Sequence, residues 1–239
     1  MSLSPEELTG RAHTHVREFV TPGGKRFFAH PQAGTAFLSL CEEAARAGIL
    51  LEPVAAFRDF GAQARIWSDK WNGRRPLYDA QGGVREYAAL DETERVAAIL
   101  EWSALPGASR HHWGSEFDVI DASALPENYR LRLMPDEYAK GGVFEHLGEW
   151  LPQHISSRGF FRPYDEERGG LHPEPWHLSF AAVAVPALAQ FSATLLAEAL
   201  ADADLPGIAL ARERVADVYE RQVLRVAQPG SPEPYSPLA

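Results

Sequence analysis

Cysteine is nearly absent from this sequence, since Cys41 is the only one among 239 residues. A single cysteine cannot form an intrachain disulfide, and it excludes a zinc site built from several thiolates. Long hydrophobic runs are missing as well. The longest apolar stretch, LSFAAVAVPALAQF, is interrupted by Pro186, and no run approaches the ~18 apolar residues that a membrane-spanning helix needs. These absences predict a protein without disulfides and without membrane insertion.

The N-terminus lacks the apolar segment of a signal peptide. Instead, SPEEL places Ser4 as a helix cap, Pro5 in the first turn and Glu7 where it closes a capping box. We therefore expect a cytoplasmic protein that begins with a short helix.

Basic residues are in the minority, with 23 Lys and Arg against 33 Asp and Glu, a formal net charge of −10 and a pI near 5.4. Each contact to a nucleic-acid phosphate needs a Lys or Arg, and the sequence has no cluster of basic residues. The composition therefore argues against nucleic acid as a partner and favours a small molecule or a peptide. It leaves the oligomeric state open.

Helical and strand-like apolar patterns are mixed without regular alternation, which favours an α+β fold over a doubly wound sheet. Helices are predicted over residues 31–48, 58–71, 91–105 and 141–159, and strands at ILLEPVAAF, FDVID, GFFRPY and WHLSF. A helical pattern continues over about 181–226, interrupted at LPG, and the proline-rich last dozen residues are expected to fray. We predict one domain over residues 1–239, in which the helical tail packs on a core at about 50–180.

The segment SRHHWGSEFD, residues 109–118, crowds ionisable side chains before a predicted strand. A catalytic zinc ion typically takes three protein ligands and keeps one position open for water. A loop that turns at Gly114 and enters the strand at Phe117 could bring His111 and Asp118 to one ion. Alone, the segment is equally compatible with solvated loop histidines and a polar strand end.

A second segment, LHPEPWHLSF, adds Glu174 and His177. Pro175 disfavours helical geometry at Glu174, which excludes the helical His-Glu-x-x-His arrangement. Glu174 could then be a general base beside the metal, with His177 as the third ligand. Together the two segments supply two histidines, one aspartate and a free carboxylate, the set that a hydrolytic zinc site needs.

The pattern SxHxxGxxxD at 109–118, followed later in the chain by EPWH at 174–177, resembles the paired signature of the VanY-type D-alanyl-D-alanine carboxypeptidases. The wider group includes VanX dipeptidases, phage endolysins of the L-alanyl-D-glutamate type and the Hedgehog amino-terminal domain. A third element, AAFRDFGAQARIW, resembles the family's upstream stretch through Phe57, Arg58 and Gln63. Three elements in order, over residues 55–180, make the resemblance specific.

The resemblance implies a small, mainly antiparallel sheet with flanking helices, and one Zn²⁺ per chain bound by His111, Asp118 and His177. It implies that Glu174 activates the attacking water. Arg58 would polarise the scissile carbonyl and stabilise the developing oxyanion. Considered alone, Arg58 is better explained by a surface ion pair with Asp59 or a nearby Glu; the other two motifs favour the catalytic role.

Three neighbouring residues are candidates for substrate binding, each with a structural alternative. Ser109 could instead cap a turn, Gln63 could be a solvated helix residue, and Trp176 could belong to the core. His112 and His172 lie beside the motifs and are expected to be solvated or to support the site from outside it.

Glu116 departs from the family, which usually has a small residue at this position. If the strand has begun there, Glu116 shares a face with Asp118 and points toward the metal pocket, where it could attract a substrate amine or crowd the site. If the strand begins later, Glu116 is solvated. The departure puts the substrate in doubt more than the reaction.

The implied activity is removal of the C-terminal D-alanine from peptidoglycan-derived stem peptides, that is, D,D-carboxypeptidase activity. One alternative is L,D-carboxypeptidase activity on tetrapeptides in cytoplasmic muropeptide recycling, and another is a non-catalytic zinc-containing binding module. Because Glu174 is retained, the sequence favours the enzyme. The glycine-rich segment 72–90 is a candidate lid over the site.

Overall fold

Helices and short strands are mixed along the chain in the computed structural model, which describes residues 2–230. The strands are β1 (Arg17–Val20), β2 (Arg26–Ala29), β3 (Leu51–Ala55), β4 (Glu116–Asp121), β5 (Phe160–Phe161) and β6 (His177–Phe180). The α-helices are α1 (Pro5–Leu8), α2 (Pro31–Arg46), α3 (Phe60–Trp71), α4 (Glu92–Trp102), α5 (Glu145–His154), α6 (Ala181–Gln190), α7 (Ala193–Ala201), α8 (Ile208–Glu213) and α9 (Val215–Val218).

The larger sheet contains four antiparallel strands in the order β3-β4-β6-β5. All six residues of β4 are buried. On one face of the sheet, Phe117 of β4 stacks on Phe37 of α2, with ring centroids 4.3 Å apart. Because side chains alternate across a strand, Glu116 and Asp118 lie on the opposite face. That face carries the candidate site.

Helix α2 covers the first face because its apolar residues recur at helical spacing. Phe37, Leu40, Cys41 and Ala44 are all buried, and this i, i+3, i+4, i+7 pattern places them on one side of the helix. Burial of each large apolar side chain stabilises the fold by about 1.5–3 kcal/mol. The sheet that supports the site therefore rests on a packed core.

The C-terminal helices pack against α3 and α4. Leu196 and Leu200 of α7 share a buried cluster with Trp67 of α3 and Ile99 of α4.

Among the described residues no single helix is long and apolar enough to cross a membrane. The bent pair α6 and α7, at 80° to each other, passes that test only when the two helices are taken together, and only on length and composition.

The predicted α+β class and mainly antiparallel sheet are confirmed. The N-terminal capping box at Ser4 and Glu7 is present as predicted. The β1–β2 hairpin was missed, since its strands have only four residues each; the TPGG turn between them is the signal that could have found it. The fraying predicted for the last dozen residues falls mainly on 231–239, which lie outside the described residues.

Candidate active site

The two predicted motifs meet because of the strand register. A 3₁₀ turn over Arg110–Trp113 carries His111 and ends at Gly114. Gly114 has φ +68°. A Cβ there would lie 2.6 Å from Val16 Cγ1 and 2.8 Å from the backbone nitrogen of His30, so this tight turn requires glycine. β4 then begins, and its Asp118 pairs with His177 of β6.

The three predicted metal ligands form one buried group. One ligand atom from each of His111, Asp118 and His177 lies within 4.8 Å of the others. His111 Nε2 is 3.2 Å from Asp118 Oδ2, and His177 Nδ1 is 2.9 Å from Asp118 Oδ1. The geometry therefore brings together the residues that the motifs predicted.

The hydrogen bonds around this group fit a bound metal ion. His111 Nδ1 donates to the Ala56 carbonyl at 2.7 Å, and His177 Nε2 donates to Glu116 at 2.8 Å. These bonds leave one ring nitrogen of each histidine free to face Asp118. His111 Nε2 and Asp118 Oδ1 are buried without a hydrogen-bond partner, which is costly unless a ligand satisfies them. Two imidazoles and a carboxylate suit a zinc ion that keeps an open position.

Glu174 lies beside the metal ligands. Its Oε2 is 3.3 Å from His177 Nδ1. The backbone is held on both sides, since Glu174 N donates to the Tyr164 carbonyl at 2.9 Å and His177 N donates to the Glu174 carbonyl at 3.1 Å. Burial raises the pKa of the Glu174 carboxyl; the Asp118 carboxylate adds to this effect, while His177 and Arg58 oppose it. A carboxylate with a raised pKa is a better proton acceptor.

Arg58 points into the same site. Its Nη2 is 3.7 Å from Asp118 Oδ2, and its backbone carbonyl accepts a hydrogen bond from His112 Nδ1 at 2.7 Å. The alternative of an ion pair with Asp59 is not what the structure shows, because Asp59 caps helix α3 by accepting from Ala62 N at 2.6 Å. Arg58 therefore faces the candidate metal site, where it pairs with Asp118 and its buried Nε has no hydrogen-bond partner.

A cleft of about 360 Å³ opens over these residues. Three of the predicted substrate-binding residues, Ser109, Gln63 and Trp176, line it and are buried. Gln63 donates to the Ala104 carbonyl at 2.8 Å and has a buried Oε1 without a partner, so it is not a solvated helix residue. Trp176 also packs on Tyr138 in the core, with ring centroids 5.7 Å apart.

Glu116 requires a correction. β4 begins at Glu116, which satisfies one of the two predicted alternatives. Its carboxylate nevertheless lies behind His177, is fully buried and is absent from the lining of the cleft. The expectation that it meets a substrate amine or crowds the pocket is wrong, because His177 stands between it and the cleft and takes its hydrogen bond.

The two other histidines have different environments. His112 is fully buried, donates to the Arg58 carbonyl and accepts from Gly107 N at 3.1 Å, so it positions Arg58. His172 lies 2.9 Å from Glu167 and outside the lining of the cleft. The expected supporting role therefore falls to His112.

Several cationic residues of the cleft were missed. These are Lys70, Arg74, Arg75, Arg130 and Arg132. Lys70 follows Gln63 by seven residues on α3, which places both on one face of the helix, and this spacing is the signal that could have found it. Part of the predicted lid, residues 72–90, also forms a wall of the cleft through Arg75 and Tyr78.

The fold and this site define a metallopeptidase of the carboxypeptidase type. The model of the family described as "VanY: D-alanyl-D-alanine carboxypeptidase" matches residues 27–183, and the chain belongs to this family. The predicted class, a zinc metallopeptidase, is thereby confirmed, and the group of His111, Asp118 and His177 could hold the metal. Since the family is one of carboxypeptidases and Glu174 is in place, the alternative of a non-catalytic module is not supported.

Two proteins of Haemophilus influenzae, both described as uncharacterized, are 39% identical over 105 and 97 residues; these matches cover 44% and 40% of this chain and 72% and 74% of the relatives. The solved structure of the LdcB LD-carboxypeptidase shares the fold at 18% identity, with a TM-score of 0.51 and 82% of each chain covered. The structure of VanYB in complex with D-alanine-D-alanine is 20% identical, with a TM-score of 0.49 over 73% of this chain and 82% of that chain.

Proposed function

We propose that this protein is a zinc-dependent D,D-carboxypeptidase that removes the terminal D-alanine from peptidoglycan stem peptides. The observation that carries the proposal is the buried Glu174 carboxylate beside the group of His111, Asp118 and His177. The family description supports D-alanyl-D-alanine as the bond cleaved. A cytoplasmic location stays a prediction.

The side chains of the cleft divide the reaction between them. A bound zinc ion supplies Lewis acidity, which polarises the scissile carbonyl and makes water a stronger acid. Glu174 takes the proton from the attacking water and delivers it to the nitrogen of the leaving D-alanine. Arg58 donates hydrogen bonds to the carbonyl oxygen as negative charge develops there, and a single such donor is worth about 3 kcal/mol.

A carboxypeptidase must also recognise the free carboxylate at the end of its substrate. Seven Lys and Arg residues line the cleft, although the chain as a whole carries a formal charge of −10. Cationic walls concentrate acidic ligands. Lys70 Nζ donates to Ser103 Oγ at 2.7 Å, which leaves two ammonium donors for a substrate. We assign Lys70 to the terminal carboxylate of the peptide.

The KM for the peptide is expected to rise as the pH passes through about 8. Burial, opposed by Glu174 and assisted by Arg75 and Arg58, lowers the pKa of Lys70 to about 8. Lys70 is therefore charged below this pH and neutral above it, so its attraction for a carboxylate is lost at alkaline pH. KM should be measured from pH 6.5 to 9.5 for the wild type and Lys70→Arg. The arginine variant keeps its charge and should give a flat profile; parallel profiles would reject the assignment.

Release of D-alanine from two substrates tests the function itself. Zinc-loaded protein is incubated with a pentapeptide stem that ends in D-alanyl-D-alanine and with the tetrapeptide that lacks the last residue. We expect release from the pentapeptide. Release from the tetrapeptide alone would replace the proposal by L,D-carboxypeptidase activity, and release from neither would reject both.

A further inference from the structure

A fully buried carboxylate lies directly behind the metal site. Glu116 Oε2 accepts a hydrogen bond from His177 Nε2 at 2.8 Å. Its Oε1 accepts from Ser115 Oγ and from Ser179 Oγ, both at 2.8 Å. The side chain is 0% exposed, and its one further polar contact among the described residues is with a cation.

That cation is Arg110, whose Nη2 lies 3.4 Å from Glu116 Oε1 and donates to Ser179 Oγ at 2.7 Å. Arg110 is itself buried between aromatic rings, with its guanidinium carbon 4.7 Å from the Trp113 ring centroid and 5.9 Å from that of Phe161. Its positive charge neutralises the charge of Glu116. The pair therefore adds a hydrogen-bond acceptor to the site without adding net charge.

The strand register explains why the carboxylate is there. Glu116 pairs with Ser179, and Asp118 pairs with His177. Glu116 is thus one step along the same sheet face from two metal ligands, close enough to reach beneath the imidazole of His177. The other ligating histidine, His111, has its second nitrogen held by the backbone carbonyl of Ala56, so only His177 depends on a side chain for its orientation.

We propose that Glu116, held by Arg110 and Ser179, is the positioning residue for the metal ligand His177. By accepting the Nε2 proton, it keeps Nδ1 as the unprotonated nitrogen and fixes the ring plane so that Nδ1 faces Asp118. The proposal rests on the metal site assigned above. Residues that orient ligating histidines in this way typically contribute 10- to 100-fold in metal affinity.

The test measures zinc binding by the protein in competition with a chromophoric chelator. Because removal of Glu116 alone would leave Arg110 buried without a counter-charge, both compared variants carry Arg110→Met. With Glu116→Gln, the side-chain oxygen can still accept from His177, and the Kd for zinc should stay within about 3-fold of wild type. With Glu116→Ala, the acceptor is lost and Kd should rise by about 10- to 100-fold. Cobalt-substituted protein should show an altered visible spectrum in the alanine variant only.

A matched control is Glu52→Ala, which also removes a buried carboxylate from the sheet. Glu52 is buried and accepts from Thr21 Oγ1 at 2.7 Å, and its side-chain hydrogen bonds among the described residues do not involve a metal ligand, so the zinc Kd should be unchanged while thermal stability falls. If the double variants do not fold, Ser179→Ala takes their place. It removes one hydrogen bond that holds Glu116 and should give a smaller rise in the Kd for zinc.

The outcomes separate this inference from the proposed function. If the wild type binds no zinc, the metal site itself is rejected. If the wild type binds one zinc ion and the variants lacking the acceptor bind it equally well, with the same cobalt spectrum, only the positioning role of Glu116 is overturned.

Discussion

Replacement of Glu174 by glutamine is expected to lower kcat for D-alanine release by about 10³-fold, within the range typical of a lost general base. Glutamine has the same size and can occupy the same position, 3.3 Å from His177, but its amide cannot take a proton from water. KM and the Kd for zinc should change little, because Glu174 is not one of the three ligands.

Steady-state kinetics on the pentapeptide and a zinc titration of the same preparation check this expectation. Glu127→Gln is a suitable control, since Glu127 is exposed and absent from the cleft lining, and it should leave kcat unchanged. A Glu174→Gln enzyme with near wild-type kcat would assign the base to another group. Loss of zinc binding would instead make Glu174 a ligand.

Replacement of Arg110 by methionine is expected to destabilise the protein by about 3–5 kcal/mol, since it leaves the Glu116 carboxylate buried without its counter-charge. Both members of this pair are almost fully buried, with side-chain exposures of 1% and 0%. The variant for comparison is Arg158→Met. It removes a surface ion pair in which Arg158 Nε lies 2.7 Å from Glu43 Oε2 and the Arg158 side chain is 38% exposed. Surface pairs of this kind contribute about 0–1 kcal/mol.

Urea unfolding of the metal-free proteins gives both free energies. Addition of Glu116→Gln to Arg110→Met should recover part of the lost stability, because the uncompensated charge is then removed. If Arg110→Met costs no more than Arg158→Met, the buried pair does not stabilise this fold. If the second substitution deepens the loss, the charge of Glu116 is not the cause.

The chemistry of the site could be predicted from sequence because it depends on residue types at short spacing. His111, Gly114 and Asp118 belong to one turn and strand entry, and Pro175 restricts the backbone beside Glu174. Local geometry therefore fixes much of each half-site. The helices were predictable for a related reason, since buried positions such as those of α2 recur with the helical period.

The function of Glu116 could not be predicted in this way. Its strand face was correctly anticipated as one alternative, but the partners that decide its role come from two other segments: His177 and Ser179 from β6, and Arg110 from the preceding turn. An exposed carboxylate on that face would be available to a substrate. Because the Glu116 carboxylate is buried, it orients a metal ligand instead. Burial depends on which strand packs beside it, and a single sequence does not contain that information.

The sequence by itself determined the α+β class and the zinc metallopeptidase class, and it predicted the metal ligands and the base, because all of these follow from side-chain chemistry and from periodicities within one segment. Only the tertiary structure decided that Glu116 lies behind His177, that Lys70 reaches the cleft and that the β1–β2 hairpin forms. These features depend on contacts between residues distant in sequence. Their free energies are set by burial and by the partners that the folded chain provides.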